Sequence, residues 1–247
     1  NMPGDVTPQN FRISTCGLRE CIDAVAQKLD WRQVRGRKDG RGVGMASLIH
    51  VGGGARVYKS DGCGTIIKMD DFGTVNVFTG ATDMGQGSET VIAQIVAEEL
   101  GVRVEDVVVT HTDTDICPWD VGAHASRTTF VAGNSAKGAA KKVKDQLLEV
   151  AAKSLGESPE NLDIRDRTVF SKKDPEKKSP LGKVLRAAHY AAGGSMVMAE
   201  YFYDPPNENL DRELKGNLSV TYTFGTHGVE VEVDKETGQV KILKYIA

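Results

Sequence analysis

A short glycine-rich run at residues 82–88, Thr-Asp-Met-Gly-Gln-Gly-Ser, has residue types and spacing that favour ligand chemistry. Gly85 and Gly87 let the backbone approach a ligand closely, and Gln86 between them offers an amide that donates and accepts hydrogen bonds. The run is predicted to join a strand to a helix, where free backbone N–H groups favour anionic oxygens. It therefore predicts an anion or cofactor site. A plain turn is the alternative, because the run matches neither the phosphate loop nor the Rossmann fingerprint.

A long polar stretch of small residues at 113–129 is the second candidate region. A loop of this length in a compact domain is usually functional, since a ligand can satisfy its backbone polar groups. The stretch supplies an imidazole at His124, hydroxyls at Ser126 and Thr128, and a guanidinium at Arg127. Arg127 is suited to hold a phosphate through two hydrogen bonds and His124 to form a pocket wall; a structural role is the alternative for each. Ser126 lacks the surroundings of a nucleophile elbow.

Residues that commonly hold metals are present but are not spaced for it. Asp113, Asp115 and Asp120 offer carboxylates to a hard cation such as calcium, yet the order of an EF-hand loop is missing. The four cysteines contain no C-x-x-C pair, so zinc and iron–sulfur sites are not predicted and the cysteines are interpreted as reduced thiols. No metal ligand from the protein is therefore predicted.

Mixed helices and strands are predicted to position the two regions. The predicted helices cover residues 17–29, 89–100, 134–155 and 181–192, and the predicted strands cover residues 44–51, 64–69, 74–79, 107–112, 196–203, 218–224, 229–233 and 240–245. Ser88 or Thr82 is expected to cap the helix after the glycine-rich run. The elements do not alternate strictly as βαβ units, so an α+β fold is predicted. Residues 1–38 are interpreted as an N-terminal helix and connector.

Composition and charge exclude several classes of protein. The 247 residues are 40% hydrophobic and 26% charged, enough to bury a substantial core, and the formal net charge is −3. Basic and acidic residues are interspersed, so nucleic acid is not an expected partner. No window is long and apolar enough to span a membrane, and the first residues do not resemble a signal peptide. A cytoplasmic location with no membrane partner is therefore expected.

Four segments of the chain carry a resemblance to a known family. They are Thr-Asp-Met-Gly-Gln-Gly at 82–87, Ala-His-Ala-Ser-Arg-Thr-Thr at 123–129, Gly-Asn-Ser-Ala at 133–136, and Gly-Val-Glu-Val-Glu-Val-Asp-Lys-Glu-Thr-Gly-Gln-Val at 228–240. Together they closely resemble the large molybdenum subunit of the xanthine oxidase and aldehyde oxidoreductase family. Residues 47–62 look most like its 4-hydroxybenzoyl-CoA reductase branch. The resemblance implies that residues 39–247 are part of a molybdopterin-binding domain with mixed sheets and packed helices.

The resemblance implies roles for residues of both regions. In the family, the dithiolene sulfurs of a molybdopterin, as such or as its cytosine dinucleotide, hold the molybdenum. The family's glutamine hydrogen-bonds an oxygen ligand of the metal, a role that maps to Gln86, with Gly85 and Gly87 as its backbone frame. Ala125 corresponds to the small residue that lies against the metal. The flanking residues implied to contact pterin or substrate are His124, Ser126, Arg127 and Thr128.

The resemblance also implies partners and a division of labour between chains. Electrons would pass to or from an iron–sulfur subunit and an FAD subunit. The substrate would be an aromatic or aldehyde-type small molecule, with reductive dehydroxylation of a hydroxybenzoyl-CoA as one specific reaction. The family's general-base glutamate lies beyond the position of Ala247, so the isolated chain is expected to be inactive without the remainder of the large subunit. The alternative is a cofactor-free binding or assembly domain that keeps the fold; retention of Gln86 favours the enzyme.

Overall fold

The computed structural model describes residues 2–54, 59–191 and 193–247. Elements are numbered in chain order. The helices are α1 (Leu18–Lys28), α2 (Trp31–Val34), α3 (Ser88–Leu100), α4 (Thr128–Leu155) and α5 (Leu181–Tyr190). The strands are β1 (Arg41–Val51), β2 (Cys63–Met69), β3 (Val75–Thr79), β4 (Val107–Thr110), β5 (Leu162–Arg165), β6 (Thr168–Ser171), β7 (Lys178–Pro180), β8 (Met198–Tyr203), β9 (Tyr222–Val233) and β10 (Val240–Ile246). Residues 55–58 of the reductase-like segment and Ala192 of the last predicted helix lie outside the described residues.

Two compact units divide the chain. Residues 1–54 with 207–247 form one, here called the N/C unit, and residues 55–206 form the central unit. The N/C unit contains an antiparallel sheet in the order β1-β9-β10, with α1 against β9. A Cβ on Gly228 of β9 would lie 2.5 Å from Val25 Cγ1 and 2.4 Å from Leu29 Cδ1, so this glycine permits helix and strand to pack closely.

The central unit is built on a sheet in the order β4-β3-β2-β8. The strands β3 and β4 are parallel, with α3 as their crossover, and the other two pairs are antiparallel. Alternate residues of β3 such as Val75 and Val77 are fully buried, as are Ile92 and Val96 of α3. A second sheet of short antiparallel strands, β5-β6-β7, is followed by α5. One hydrophobic core within this unit therefore fixes the ends of β3 and β4.

The 28-residue helix α4 packs against the sheet through small side chains. Ala136, Ala139 and Ala140 are completely buried. A Cβ on Gly138 would lie 2.4 Å from the Tyr201 ring, and one on Gly133 would lie 2.9 Å from Ile95 Cδ1. The absence of these Cβ atoms brings α4 close to β8 and α3, which holds the start of α4 at a defined position.

The predicted α+β fold is confirmed, but several element predictions need correction. The helix predicted from Asn134 begins at Thr128, and the strands predicted over 218–224 and 229–233 are replaced by the continuous strand β9. The strands β5, β6 and β7 were not predicted. The compact units do not test the domain boundary predicted at residue 38, which stays a prediction. None of the described helices is long and apolar enough to cross a membrane.

Candidate functional site

The two candidate regions follow neighbouring parallel strands. Residues 80–87, here the first loop, join β3 to α3, and residues 111–127, here the second loop, join β4 to α4. Because β3 and β4 are parallel, both loops leave the same edge of the sheet. Ligands of open sheets with parallel strands bind outside the carboxyl ends of the strands, which is where both loops lie.

Gln86 of the first loop is exposed, and its amide is turned back onto its own loop. Its Oε1 accepts a hydrogen bond from the Met84 N–H at 2.5 Å, and its Nε2 donates to the Thr82 carbonyl at 2.8 Å. A longer contact of 3.4 Å joins Nε2 to Ser88 Oγ. Because an amide nitrogen carries two hydrogens, the weak contact with Ser88 is the one that a ligand oxygen could replace.

Asp83 caps the first loop and the start of α3, where Ser88 or Thr82 was expected to do so. Its Oδ1 accepts from the Gly85 N–H at 2.7 Å, and its Oδ2 accepts from the Glu89 N–H at 3.4 Å. Gly87 is the N-cap residue and Ser88 already belongs to the helix, so the predicted cap is wrong. The hydrogen bond from Gly85 is the main reason that the pKa of Asp83 lies below its usual value. The carboxylate form is thus the one that holds the loop.

The glycines of the first loop leave open space above the backbone. Gly85 has φ 101° and Gly87 has φ 77°, both in the region that favours glycine. A Cβ on either would meet no atom within 4 Å. Backbone conformation, not crowding by the described residues, therefore requires glycine here, and the space beside Gln86 is available to a ligand.

The second loop ends in a strained turn. The Arg127 N–H donates to the His124 carbonyl at 3.1 Å, and the two residues between them, Ala125 and Ser126, have φ of 43° and 54°. Positive φ at both central residues is the pattern of a type I′ turn, in which glycine and asparagine are usual. The left-handed conformation costs about 1–2 kcal/mol for each such residue, so the surrounding structure must hold this turn in place.

Arg127 is buried, and its side chain is used by the protein. It is 1% exposed and pairs with Asp61 at 2.9 Å and with Asp120 at 2.9 Å, both of which have almost fully buried side chains. It also donates to the carbonyls of Asp61, Gly62 and Gly122 at 2.5, 2.9 and 2.9 Å. The two-bond phosphate contact predicted for Arg127 stays a prediction, and it would require two of these bonds to break.

Asp120 belongs to this ion-paired cluster. Its carboxylate also accepts from the Gly122 N–H at 2.7 Å, which leaves it poorly placed for the calcium alternative. Among the described residues, no group of three His, Cys, Asp or Glu side chains is arranged to hold a metal ion. Burial, with the nearby Asp120 charge second, raises the pKa of Cys63 to about 12, so this cysteine is a neutral thiol at pH 7. All four cysteines are free, as predicted.

The start of α4 and the His124 ring offer further polar groups. Neither α3 nor α4 has a side-chain hydrogen bond from its N-cap residue, although Asp83 reaches the Glu89 N–H of α3. His124 Nε2 is buried and has no hydrogen-bond partner among the described residues. Ser126 is exposed and Thr128 is half-buried at the first position of α4. The predicted residues of the second loop therefore lead directly into α4, whose first N–H groups lack partners within the helix.

The two loops meet near their bases. A Cβ on Gly80 of the first loop would lie 2.4 Å from the Pro118 carbonyl oxygen, 2.7 Å from Asp120 Cβ and 2.8 Å from the Asp120 nitrogen. A pocket of about 340 Å³ opens where they meet. Its lining residues from both loops are Gly80, Thr82, Thr112, Asp113, Thr114, Cys117, Pro118, Trp119 and Asp120.

Three functional features were missed by the sequence reasoning. The Asp83 cap had a signal, because an aspartate two residues before a glycine commonly accepts a backbone hydrogen bond. The pair of His111 with Glu89, which links the end of β4 to the first turn of α3, had none. Asp61 as a partner of Arg127 had none either, since 66 residues separate them in the sequence.

These features describe an α+β domain with a candidate cofactor site on two loops at one edge of a sheet. The profile of the molybdopterin cofactor-binding domain matches residues 19–247, and the chain therefore belongs to this family. It is 32% identical over 211 residues, 85% of its length and 25% of the relative, to the 6-hydroxypseudooxynicotine dehydrogenase complex subunit gamma of Paenarthrobacter nicotinovorans. It is 37% identical over 169 residues, 65% of its length and 22% of the relative, to the xanthine dehydrogenase molybdenum-binding subunit of Escherichia coli O157:H7.

The fold is also similar to that of a solved structure. The CO dehydrogenase from Oligotropha carboxidovorans matches with a TM-score of 0.83 over 99% of this chain and 32% of that one, at 22% identity. The chain thus spans about a quarter of the two curated relatives and a third of this structure. The resemblance to the xanthine oxidase family is confirmed at the level of the molybdopterin-binding domain.

The residues at the site fit a pterin cofactor in their donor chemistry. A molybdopterin presents ring nitrogens, carbonyl oxygen and phosphate oxygens, which need hydrogen-bond donors and acceptors. The unpaired His124 Nε2, the Gln86 amide and the start of α4 supply such groups, and the open space over Gly85 and Gly87 leaves room for them to be used.

Proposed function

We propose that this chain is the cofactor-binding part of a molybdenum-dependent oxidoreductase that acts on an aromatic or aldehyde-type small molecule. The observation that carries the proposal is that the two loops resembling the family's cofactor loops leave one edge of the sheet beside each other. When bound, the molybdopterin supplies the redox chemistry, and the protein supplies binding, orientation and electrostatics.

The chain's own residues would hold and orient the bound groups. Gln86, framed by Gly85 and Gly87, would donate its second amide hydrogen to an oxygen at the metal, in place of the 3.4 Å contact with Ser88. Ala125 would leave space for the metal, because its side chain is a single methyl group. The residues proposed to contact pterin or substrate are His124, Ser126, Arg127 and Thr128, with Arg127 acting through its backbone.

The proposed form of the cofactor, the partner subunits and the specific reaction follow from the resemblance to the family. We propose molybdopterin, as such or as its cytosine dinucleotide, with an iron–sulfur subunit, an FAD subunit and the remainder of the large subunit as partners in the cytoplasm. Residues 47–62 favour a 4-hydroxybenzoyl-CoA reductase, which would remove a phenolic hydroxyl from a hydroxybenzoyl-CoA. This branch is the most specific form of the proposal, and it is tested by assaying the complex with that thioester.

Metal and pterin analysis of the natively purified complex tests the proposal. Molybdenum is measured by mass spectrometry, and the oxidised pterin by its fluorescence. Near-equimolar molybdenum and pterin for each copy of this chain are expected. A native complex with neither would overturn the proposal and would favour a cofactor-free binding or assembly domain.

A further inference from the structure

The buried cluster around Arg127 ties the second loop to residues 61–62, and its member Asp120 lies close to Gly80 of the first loop. We propose that Arg127, Asp61 and Asp120, here the Arg127 network, act as a positioning device that fixes the second loop against the first. The inference rests on the proposed function, because positioning matters only if both loops contact one bound cofactor. Arg127 would then serve the site without its side chain touching the ligand.

The hydrogen bonds of the Arg127 side chain account for all its donors. A guanidinium carries five N–H groups in a fixed fork. Nε donates to Asp61 Oδ1, Nη1 donates to Asp120 and to the Gly122 carbonyl, and Nη2 donates to the carbonyls of Asp61 and Gly62. The side chain is 1% exposed. It is therefore committed to the protein and has no free donor to offer a phosphate or pterin.

The same residue fixes the strained turn through its backbone. The Arg127 N–H closes the turn over Ala125 and Ser126, and the Arg127 carbonyl accepts from the Val131 N–H at 2.8 Å as α4 begins. Two consecutive residues with positive φ and no glycine persist only where their surroundings impose the conformation. The anchored guanidinium imposes it, because it fixes the position of the residue that ends the turn.

The network reaches the first loop through Asp120. The backbone at Asp120 approaches Gly80 so closely that a Cβ there would lie 2.8 Å from the Asp120 nitrogen. The adjoining Trp119 carbonyl accepts from the Gly64 N–H at 2.9 Å, which ties this segment to the start of β2. A change in the position of Asp120 would therefore affect both loops, since Asp120 belongs to the second loop, pairs with Arg127 at its end and lies close to Gly80 of the first loop.

The fork geometry gives a sharp test of positioning. Lysine keeps the positive charge of arginine but presents three donors on a flexible stem, so it cannot replace the five hydrogen bonds that Arg127 makes to residues 61–62 and 120–122. We would compare Arg127→Lys with Arg167→Lys in the native complex. Arg167 is a matched control, because it also pairs with a carboxylate, Asp106 at 3.0 Å, and donates to the Phe72 carbonyl, yet it contacts neither loop.

Three readouts separate positioning from general stability: bound molybdenum and pterin, turnover of the assembled complex, and hydrogen exchange of residues 82–88. For Arg127→Lys we expect cofactor content well below one for each chain, turnover lower by on the order of 100-fold, and faster exchange in the first loop. Arg167→Lys should leave all three unchanged. Adding Ser126→Gly to Arg127→Lys should restore part of the cofactor content, because glycine adopts positive φ without the guanidinium's support.

The outcomes distinguish this inference from the proposed function. Full cofactor content, wild-type turnover and unchanged exchange in Arg127→Lys, with only a lower Tm, would overturn the positioning role. A wild-type complex without cofactor would refute the proposed function, and exchange at residues 82–88 would still decide whether the network couples the loops. If Arg127→Lys does not assemble, Asp120→Asn, which keeps the shape and removes one charge, is judged by the same three readouts.

Discussion

The two loops of the site are held in place by different means. Asp83 and Gln86 hold the first loop through bonds to neighbouring backbone groups, and the Gln86 side chain is exposed. Arg127 holds the second loop through buried ion pairs to residues as distant as 66 positions in the sequence. Exposed local bonds are easily exchanged for bonds to a ligand, whereas buried ion pairs are not. The first loop is thus adaptable and the second is preorganised.

Removal of the buried cation should give the largest effect on stability. Arg127→Met leaves the Asp120 carboxylate buried without its cation, and the free energy of unfolding of the central unit should fall by about 3–5 kcal/mol. Urea denaturation followed by Trp119 fluorescence in a Trp31→Phe background reports on this unit.

Arg167→Met is the control for Arg127→Met. Its pair with Asp106 involves a side chain that is 40% exposed, so a loss of about 0–1 kcal/mol is expected. Equal losses for the two variants would contradict the preorganisation of the second loop, since the Arg127 pairs would then be no stronger than a surface pair.

A change in the first loop should affect turnover instead. In the complete enzyme, Gln86→Ala should remove a hydrogen bond of about 1.5–3 kcal/mol, which corresponds to turnover lower by about 10- to 150-fold. Because the amide is exposed, the Tm should hardly change. Gln146→Ala on α4 is the matched control, because it also removes a side-chain amide that donates to a backbone carbonyl, that of Met198 in β8. Unchanged kinetics at full metal content would refute the role of Gln86.

The contact between the loops can be tested at Gly80. Gly80→Ala would place a methyl group 2.4 Å from the Pro118 carbonyl and 2.7 Å from Asp120 Cβ, so we expect a loss of about 1–3 kcal/mol from overpacking. Gly44→Ala in β1 is the control, because its Cβ would meet no atom within 4 Å. If the two variants were equally stable in thermal unfolding, the loops would not be held together at this point.

The sequence predicts those parts of the molecule that have a strong local pattern. The amphipathic helix α3 and the hairpin of β2 and β3 were found because apolar spacing and turn residues agree there. The β5–β6 hairpin was missed because its turn is formed by Asp166 and Arg167, both with positive φ, where asparagine or glycine is the usual signal.

Glycine misled the sequence reasoning where it serves packing. Gly228 falls between the strands predicted over 218–224 and 229–233, but it lies within β9 at the place where α1 approaches that strand. Gly133 lies just before the predicted start of the long helix at Asn134, but it belongs to α4, where it accommodates Ile95. For the site, the residue types were visible in the sequence, whereas the Arg127 network was not, since it depends on distant segments that only the fold brings together.

The smallest effect should come from titration of the first loop. The hydrogen bond from the Gly85 N–H lowers the pKa of Asp83 in the folded chain. Its contribution to stability is therefore present above the pKa of the unfolded state and is lost as pH falls through the folded pKa. In NMR spectra recorded at decreasing pH, the Gly85 amide signal should shift with a midpoint below the usual aspartate pKa, and Asp83→Asn should abolish the shift.

Asp234 provides the comparison that isolates this effect. Its pKa is lowered in the same way, by the Thr237 and Glu236 N–H groups, but it lies in the turn between β9 and β10. Asp234→Asn should abolish the pH-dependent shift of the Glu236 and Thr237 amide signals. It should leave the pH-dependent shift of the Gly85 amide signal intact. Because the Arg127 network contains no group that bonds to Asp83, the Arg127 N–H signal should not follow the same midpoint. If it did, protonation of Asp83 would change both loops together, and the first loop would not adapt independently of the second.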